Sequence, residues 1–159
     1  MADLEHRASR IVDQDPIVVH DRLLELAARL RDELPPIEPG TQAATALGVT
    51  GRLPIQIVDR GPGRIDLLTT EGRIRGEGSA VIAPNGDGRS TVTVDVAVKP
   101  QGFAANMILG VALKTMPGLE RQVVDGLEAN LDDLARELAK PDPEWNPEAW
   151  RPVGLADRG

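Results

Sequence analysis

Val92, Val94, Val96 and Val98 alternate with Thr91, Thr93, Asp95 and Ala97, shortly after the tetrapeptide Asn85-Gly86-Asp87-Gly88. A period of two sends the valines to one face of a pleated strand and the other row to the opposite face. Asn, Asp and Gly tolerate the positive φ of a tight hairpin, so a strand reverses direction just before the valines. A sheet with one such apolar face must be covered by a second layer. The same period runs from Gly51 to Pro100. Leu53, Ile55 and Ile57 alternate around Pro54, which predicts an edge strand because Pro cannot donate to a ladder. Gly61-Pro62-Gly63 turns the chain into Ile65–Thr70, and Glu71-Gly72 leads into Arg73–Ile82. Strands joined by short turns predict an antiparallel meander with one buried face. Leu4–Val12 adds a strand with Leu4, His6, Ala8 and Val12 on one face, although Arg10 interrupts that face and Ile11 the other.

Two helical segments supply the covering layer. Asp15-Pro16 predicts a helix start, with Pro preset for the first helical position. Leu23, Leu26, Ala27, Leu30 and Leu34 recur at helical spacing, and Arg22, Glu25, Arg29, Asp32 and Glu33 fall elsewhere on the wheel. Pro35-Pro36 ends that helix. Beyond Pro100 the pattern is helical to Lys140, with a kink or break expected at Pro117-Gly118. Leu119, Val123, Leu127, Leu131, Leu134 and Leu138 form one stripe; Glu120, Asp125, Glu128, Asp132, Asp133 and Glu137 lie off it and read as a solvated face. Phe103–Leu113 is apolar nearly all round, so it is buried on several sides or meets a lipid-like molecule, a second subunit or a membrane interface. Residues 141–159, with Trp145, Trp150 and several prolines, read as an extended tail that docks on its own chain or exchanges onto a partner.

Composition narrows the function. The 159 residues suit one domain, and one Phe, two Trp and no Tyr leave the core to aliphatic side chains. The absence of Cys excludes disulfides, thiolate metal sites and Cys nucleophiles. A net charge of −7 argues against a nucleic-acid partner, which needs clustered cations. The charged opening Met1–Arg7 resembles neither a signal peptide nor an anchor, and no apolar run approaches the ~20 residues of a membrane span. A cytoplasmic protein without stable membrane insertion is expected. No Gly-x-Ser-x-Gly elbow surrounds Ser9, Ser79 or Ser90, and His6 and His20 alone do not make a metal site. Gly61-Pro62-Gly63 and Gly76-Glu77-Gly78 lack the third glycine and helix of a phosphate loop. No metal and no cofactor are therefore expected. Arg73, Arg75, Glu77 and Ser79 share a face, as do Asp95, Thr93 and Thr91; paired, they form a solvated ionic ladder, or else place carboxylate bases in a cavity.

The order strand, helix, antiparallel meander, long C-terminal helix resembles the START-like or SRPBCC superfamily, whose members include lipid-transport and polyketide cyclase/dehydrase proteins. The resemblance covers roughly residues 3–140 and is carried by the opening strand ending in Arg10–Pro16, the helix after it, and the closing Gly102–Leu138 segment. It implies an α+β helix-grip domain over 1–140, in which the meander grips the C-terminal helix and encloses an apolar cavity. The expected activity is non-catalytic binding of a small hydrophobic molecule, lipid-like or polyketide-like. The expected lining is Ile55, Ile57, Leu67, Ile74, Gly76, Gly78, Val94, Val96, Phe103, Met107 and Val111. With few aromatics for stacking, an acyl or isoprenoid guest fits better than a flat polycycle. The alternatives are a cyclase- or dehydratase-like enzyme, or a dimerising module with a filled core, joined through Phe103–Leu113 or the Trp145/Trp150 tail. The small residues Gly76, Gly78 and Ala80 on the face of Ile74 either admit a close-packed helix or leave room for a guest.

Overall fold

The computed structural model describes residues 4–33, 36–41, 44, 50–52, 54–69, 74–100 and 119–150. Its elements in chain order are β1 (Leu4–Val12), α1 (Pro16–Glu33), β2 (Gln56–Asp59), β3 (Arg64–Thr69), β4 (Ile74–Pro84), β5 (Ser90–Pro100), α2 (Leu119–Leu138) and a short 3-10 helix (Asp142–Glu144). The five strands form one antiparallel sheet in the order β1-β5-β4-β3-β2. The meander and the edge position of the Pro54 segment are as the periodicity predicts. The ladder of β2 begins at Gln56, two residues past Pro54, and extends to Asp59 opposite Ile65. The missing N–H of Pro54 keeps it outside the ladder.

Turn chemistry sets the register. Gly86 and Gly88 adopt φ of 74° and 69°, and the Asn85 N–H donates to Arg89 O at 2.9 Å, closing the β4–β5 hairpin. At the β2–β3 turn Gly63 has φ 87°, and a Cβ there would sit 2.8 Å from the Ile82 carbonyl, so only glycine fits. With register set, rows of facing residues cross the sheet. One runs Ile57, Leu67, Gly78, Val96, His6; the next runs Asp59, Ile65, Ala80, Val94, Ala8. These rows form the inner face, which the helices cover.

The core joins Val12, Val19, Leu23, Leu26, Ile65, Ile82, Val92 and Leu138, with Ile57, Val94, Leu134, Trp145 and Trp150 packed around it. Several polar residues are engaged inside the fold, and those on the helices correct the expectation of a solvated face. Arg22, placed on the polar side of the α1 wheel, is only 4% exposed. Its guanidinium donates to Leu138 O at 2.8 Å and Lys140 O at 2.6 Å, pairs with Asp142, and lies over the Trp145 ring. A cation thus satisfies carbonyls that the end of α2 leaves without helical partners. Arg10, an interruption of an apolar face, points inward and pairs with Glu128 and Asp132 of α2. Glu128 and Asp132 therefore do not belong to a purely solvated face. Glu137 is buried too and pairs with Lys140 at 2.8 Å.

Residues 141–150 stay on the body. The Trp145 Nε1–H donates to Glu25 at 3.1 Å, and Arg29 donates to the carbonyls of Glu148 and Trp150. Arg22, Glu25 and Arg29 lie along one side of α1, so a single helix face holds this segment. A 3-10 turn at Asp142–Glu144 stands where an extended conformation is expected, and it brings Trp145 back to the core. The apolar segment Phe103–Leu113 and the break expected at Pro117-Gly118 lie outside the described residues.

Candidate functional site

The candidate site lies between the inner face and α2. A cavity of about 90 Å³ is lined, among the described residues, by Val94 and Val96 of β5, His6 of β1, Leu127, Asn130, Leu131 and Leu134 of α2, and Trp150. The two valines reach it because the strict alternation of β5 turns their side chains inward, and the α2 leucines because they recur at three- and four-residue intervals on one stripe. Trp150 comes from the returning segment, which Arg29 of α1 fixes by its carbonyl.

His6 is the polar feature that sequence reasoning missed. Its Nε2 lies 2.7 Å from Glu128 Oε1, and the other carboxylate oxygen of Glu128 pairs with Arg10. Arg10 also donates through Nε to Asp132 at 2.6 Å. The hydrogen bond from Arg10, then that from His6, hold the Glu128 carboxyl below the usual range. The two carboxylates in turn raise the already high Arg10 value. The signal was present in the alternation that put His6 with Leu4, Ala8 and Val12, but the partner is 122 residues away. A carboxylate-oriented imidazole beside an apolar space is acid–base material, and it is also a directional hydrogen-bonding group.

Of the predicted lining residues, Val94 and Val96 border the cavity, while Ile57 packs against the core cluster. Leu67 and Gly78 lie on the same inner-face row as Val96, and Gly76 is opposite Val98. Ile74 is in register with Pro100, and half-buried Ile55 precedes β2. Phe103, Met107 and Val111 lie outside the described residues. The two glycines do different things. A Cβ on Gly76 would meet the Thr69 methyl at 2.9 Å, whereas one on Gly78 would meet only Asp95 O and Leu67 Cβ, both at 3.8 Å. Among the described residues, no helix side chain closes over Gly78.

A larger concavity, about 660 Å³, lies on the opposite face of the sheet. It is lined by Arg7, Arg60, Arg64 and Arg75 with Glu5, Asp66, Glu77 and Asp95, among others. Its arginines are paired: Arg7 with Asp95 at 2.5 Å, Arg75 with Glu77 at 2.8 Å, and both Arg60 and Arg64 with Asp66. Burial acts to raise the Asp66 carboxyl, but the two arginines outweigh it and hold it low. Size here does not mark the site, because the groove is an open, internally neutralised ionic ladder. Glu77 and Asp95 thus lie on the outer face, away from α2, and do not supply bases to the inner cavity.

His20 stitches α1 to the β2–β3 turn. Its Nδ1 accepts the Gly63 N–H at 3.3 Å, so its Nε2 carries the proton given to Asp59 at 3.0 Å. The Gly61 N–H, then His20, keep the Asp59 carboxyl below its usual range. Among the described residues no three His, Asp or Glu side chains converge as metal ligands. None of the described helices is long and apolar enough to cross a membrane.

No protein-family model and no curated protein matches the sequence. The structure does match solved ones. Truncated norcoclaurine synthase from Thalictrum flavum aligns at 9% identity with a TM-score of 0.53, over 88% of this chain and 96% of that one. The di-domain ARO/CYC StfQ from the steffimycin biosynthetic pathway aligns at 13% identity with a TM-score of 0.52, over 87% of this chain and 50% of that one. This chain has an α+β helix-grip fold. A Thermus thermophilus protein shares the helix-grip arrangement at 19% identity and a TM-score of 0.50, over 84% of this chain and 96% of that one. At these identities the likeness is one of fold, and no residue role is carried across. The five-stranded antiparallel sheet, the strand-then-helix start and the C-terminal helix are the arrangement expected of a helix-grip fold.

Proposed function

We propose that the chain binds a small hydrophobic molecule, without transforming it, between the inner face of the sheet and α2. The observation that carries this reading is the cavity lined by Val94, Val96, Leu127, Leu131 and Leu134. An apolar space with one or two polar groups at its edge is the usual form of a small-molecule site. Sharing a fold with a synthase and an ARO/CYC protein fits a guest of small organic type. At about 90 Å³ the space is smaller than the roughly 150 Å³ that holds benzene, so it takes a branched acyl or isoprenoid end of about four heavy atoms.

Filling the cavity tests the proposal. A short branched hydrocarbon at ten times its Kd stabilises the folded state by about 1.4 kcal/mol, which raises the unfolding midpoint by about 3–6 °C. Val96→Phe occupies the same space, so its midpoint stays unchanged when the hydrocarbon is added. An equal rise in both proteins places binding elsewhere and overturns the proposal.

A further inference from the structure

We propose that residues 145–150 form a gate, a strap on α1 whose lifting lets the guest into and out of the cavity. This rests on the binding reading above and adds the route of exchange to it. Among the described lining residues, Trp150 alone belongs to neither a strand nor a helix. His6, Val94 and Val96 are fixed by the ladders of β1 and β5, and the leucines by the backbone bonds of α2. Opening either of those walls breaks several backbone bonds together. The strap costs less to move. Its backbone bonds are local, from the Trp145 N–H to Pro141 O and Asp142 O, and from the Ala149 N–H to Asn146 O. Among the described residues no backbone–backbone bond joins it to a strand or to α1. Pro147 has no N–H to offer for one.

Side chains of α1 hold the strap instead. Trp145 donates to Glu25 at 3.1 Å, and Arg29 donates to Trp150 O and, at a long 3.4 Å, to Glu148 O. The grip of Arg29 is incomplete, because its Nε is buried without an acceptor among the described residues. A buried donor left unpaired destabilises the closed position, and water can reach it once the strap lifts. Arg29 is not part of the described lining and acts as a positioning residue through Trp150. Lids held in this way open and close without disturbing the fold beneath them.

Isobutane is the probe, a branched hydrocarbon of the size the cavity takes. Both tryptophans lie in the strap and the chain has no Tyr, so stopped-flow fluorescence reads guest exchange at the gate itself. Arg29→Met keeps an apolar stem under the strap and removes its donors. Association and dissociation are both expected to speed up about fivefold, roughly the worth of one hydrogen bond, because a gate changes the path and not the end states. In a second variant, Glu25→Cys with Asn146→Cys, a short bismaleimide joins α1 to the strap, and the chain has no other Cys to react. The cross-link is expected to slow both rates more than about tenfold relative to the same variant unlinked, since another wall must then open. It decides alone where Arg29→Met does not fold. Rates unmoved by the cross-link, or an Arg29→Met effect confined to dissociation, make Trp150 a fixed wall; either result overturns the inference and leaves the cavity reading standing. Isobutane that fails to stabilise the unaltered protein overturns the cavity reading itself.

Discussion

Arg22→Ala is expected to lower stability by about 3 kcal/mol, because a charged donor to two carbonyls is removed from a buried position. For a chain of this size that is a fall of about 6–12 °C in the unfolding midpoint. Arg22 is contributed by α1, yet its bonds go to the end of α2 and to the residues just beyond it. Its loss therefore frees the carbonyl of the buried Leu138, removes the support under Trp145, and loosens the joint between the two helices. Arg22→Lys keeps the charge but cannot span both carbonyls, and falls between the two. Asp142→Asn tests the alternative that the ion pair matters most. Asp142 is 88% exposed, so that change costs less than about 1 kcal/mol. Chemical denaturation of the three variants checks the order. A larger loss from Asp142→Asn than from Arg22→Ala contradicts it.

Trp150→Ala is expected to change both stability and guest size. Fully buried Trp→Ala changes cost about 3–5 kcal/mol; Trp150 is half-buried, so the loss is about 2 kcal/mol. Its indole packs against the core cluster and also forms one wall of the cavity. Removing it brings the space past the roughly 150 Å³ that accommodates benzene. Benzene then raises the midpoint of the variant and leaves that of the unaltered protein where it was. A rise in both proteins, or in neither, means that Trp150 does not limit the cavity.

The sheet was legible in the sequence where local rules decide it. The valine row of β5, the Asn85–Gly88 turn and the Pro16 start of α1 each depend on neighbours a few residues away, and all three stand as the periodicity predicts. The sheet half of the cavity was legible for the same reason, since Val94 and Val96 follow from alternation. The polar half was not. Arg22 and Glu128 look like solvent residues on a helical wheel and Arg10 like an interruption of an apolar strand face, and the pairs Arg22–Leu138, Arg10–Asp132 and Arg10–Glu128 join residues 116, 122 and 118 positions apart that only folding brings together. A charge is buried when another element supplies its partner, and no local period records that. The same holds for Trp150, whose proline-rich surroundings suggest an extended segment, while Arg29 draws it back against the body.

A crystal of the protein pressurised with xenon tests the central claim most directly, because xenon enters small apolar cavities and little else. A single strong xenon peak is predicted in the space between Val94 and Val96 on the sheet side and Leu131 and Leu134 on the α2 side. Absence of xenon there, with side chains meeting across that space, would contradict the account and leave a protein with a solid interior.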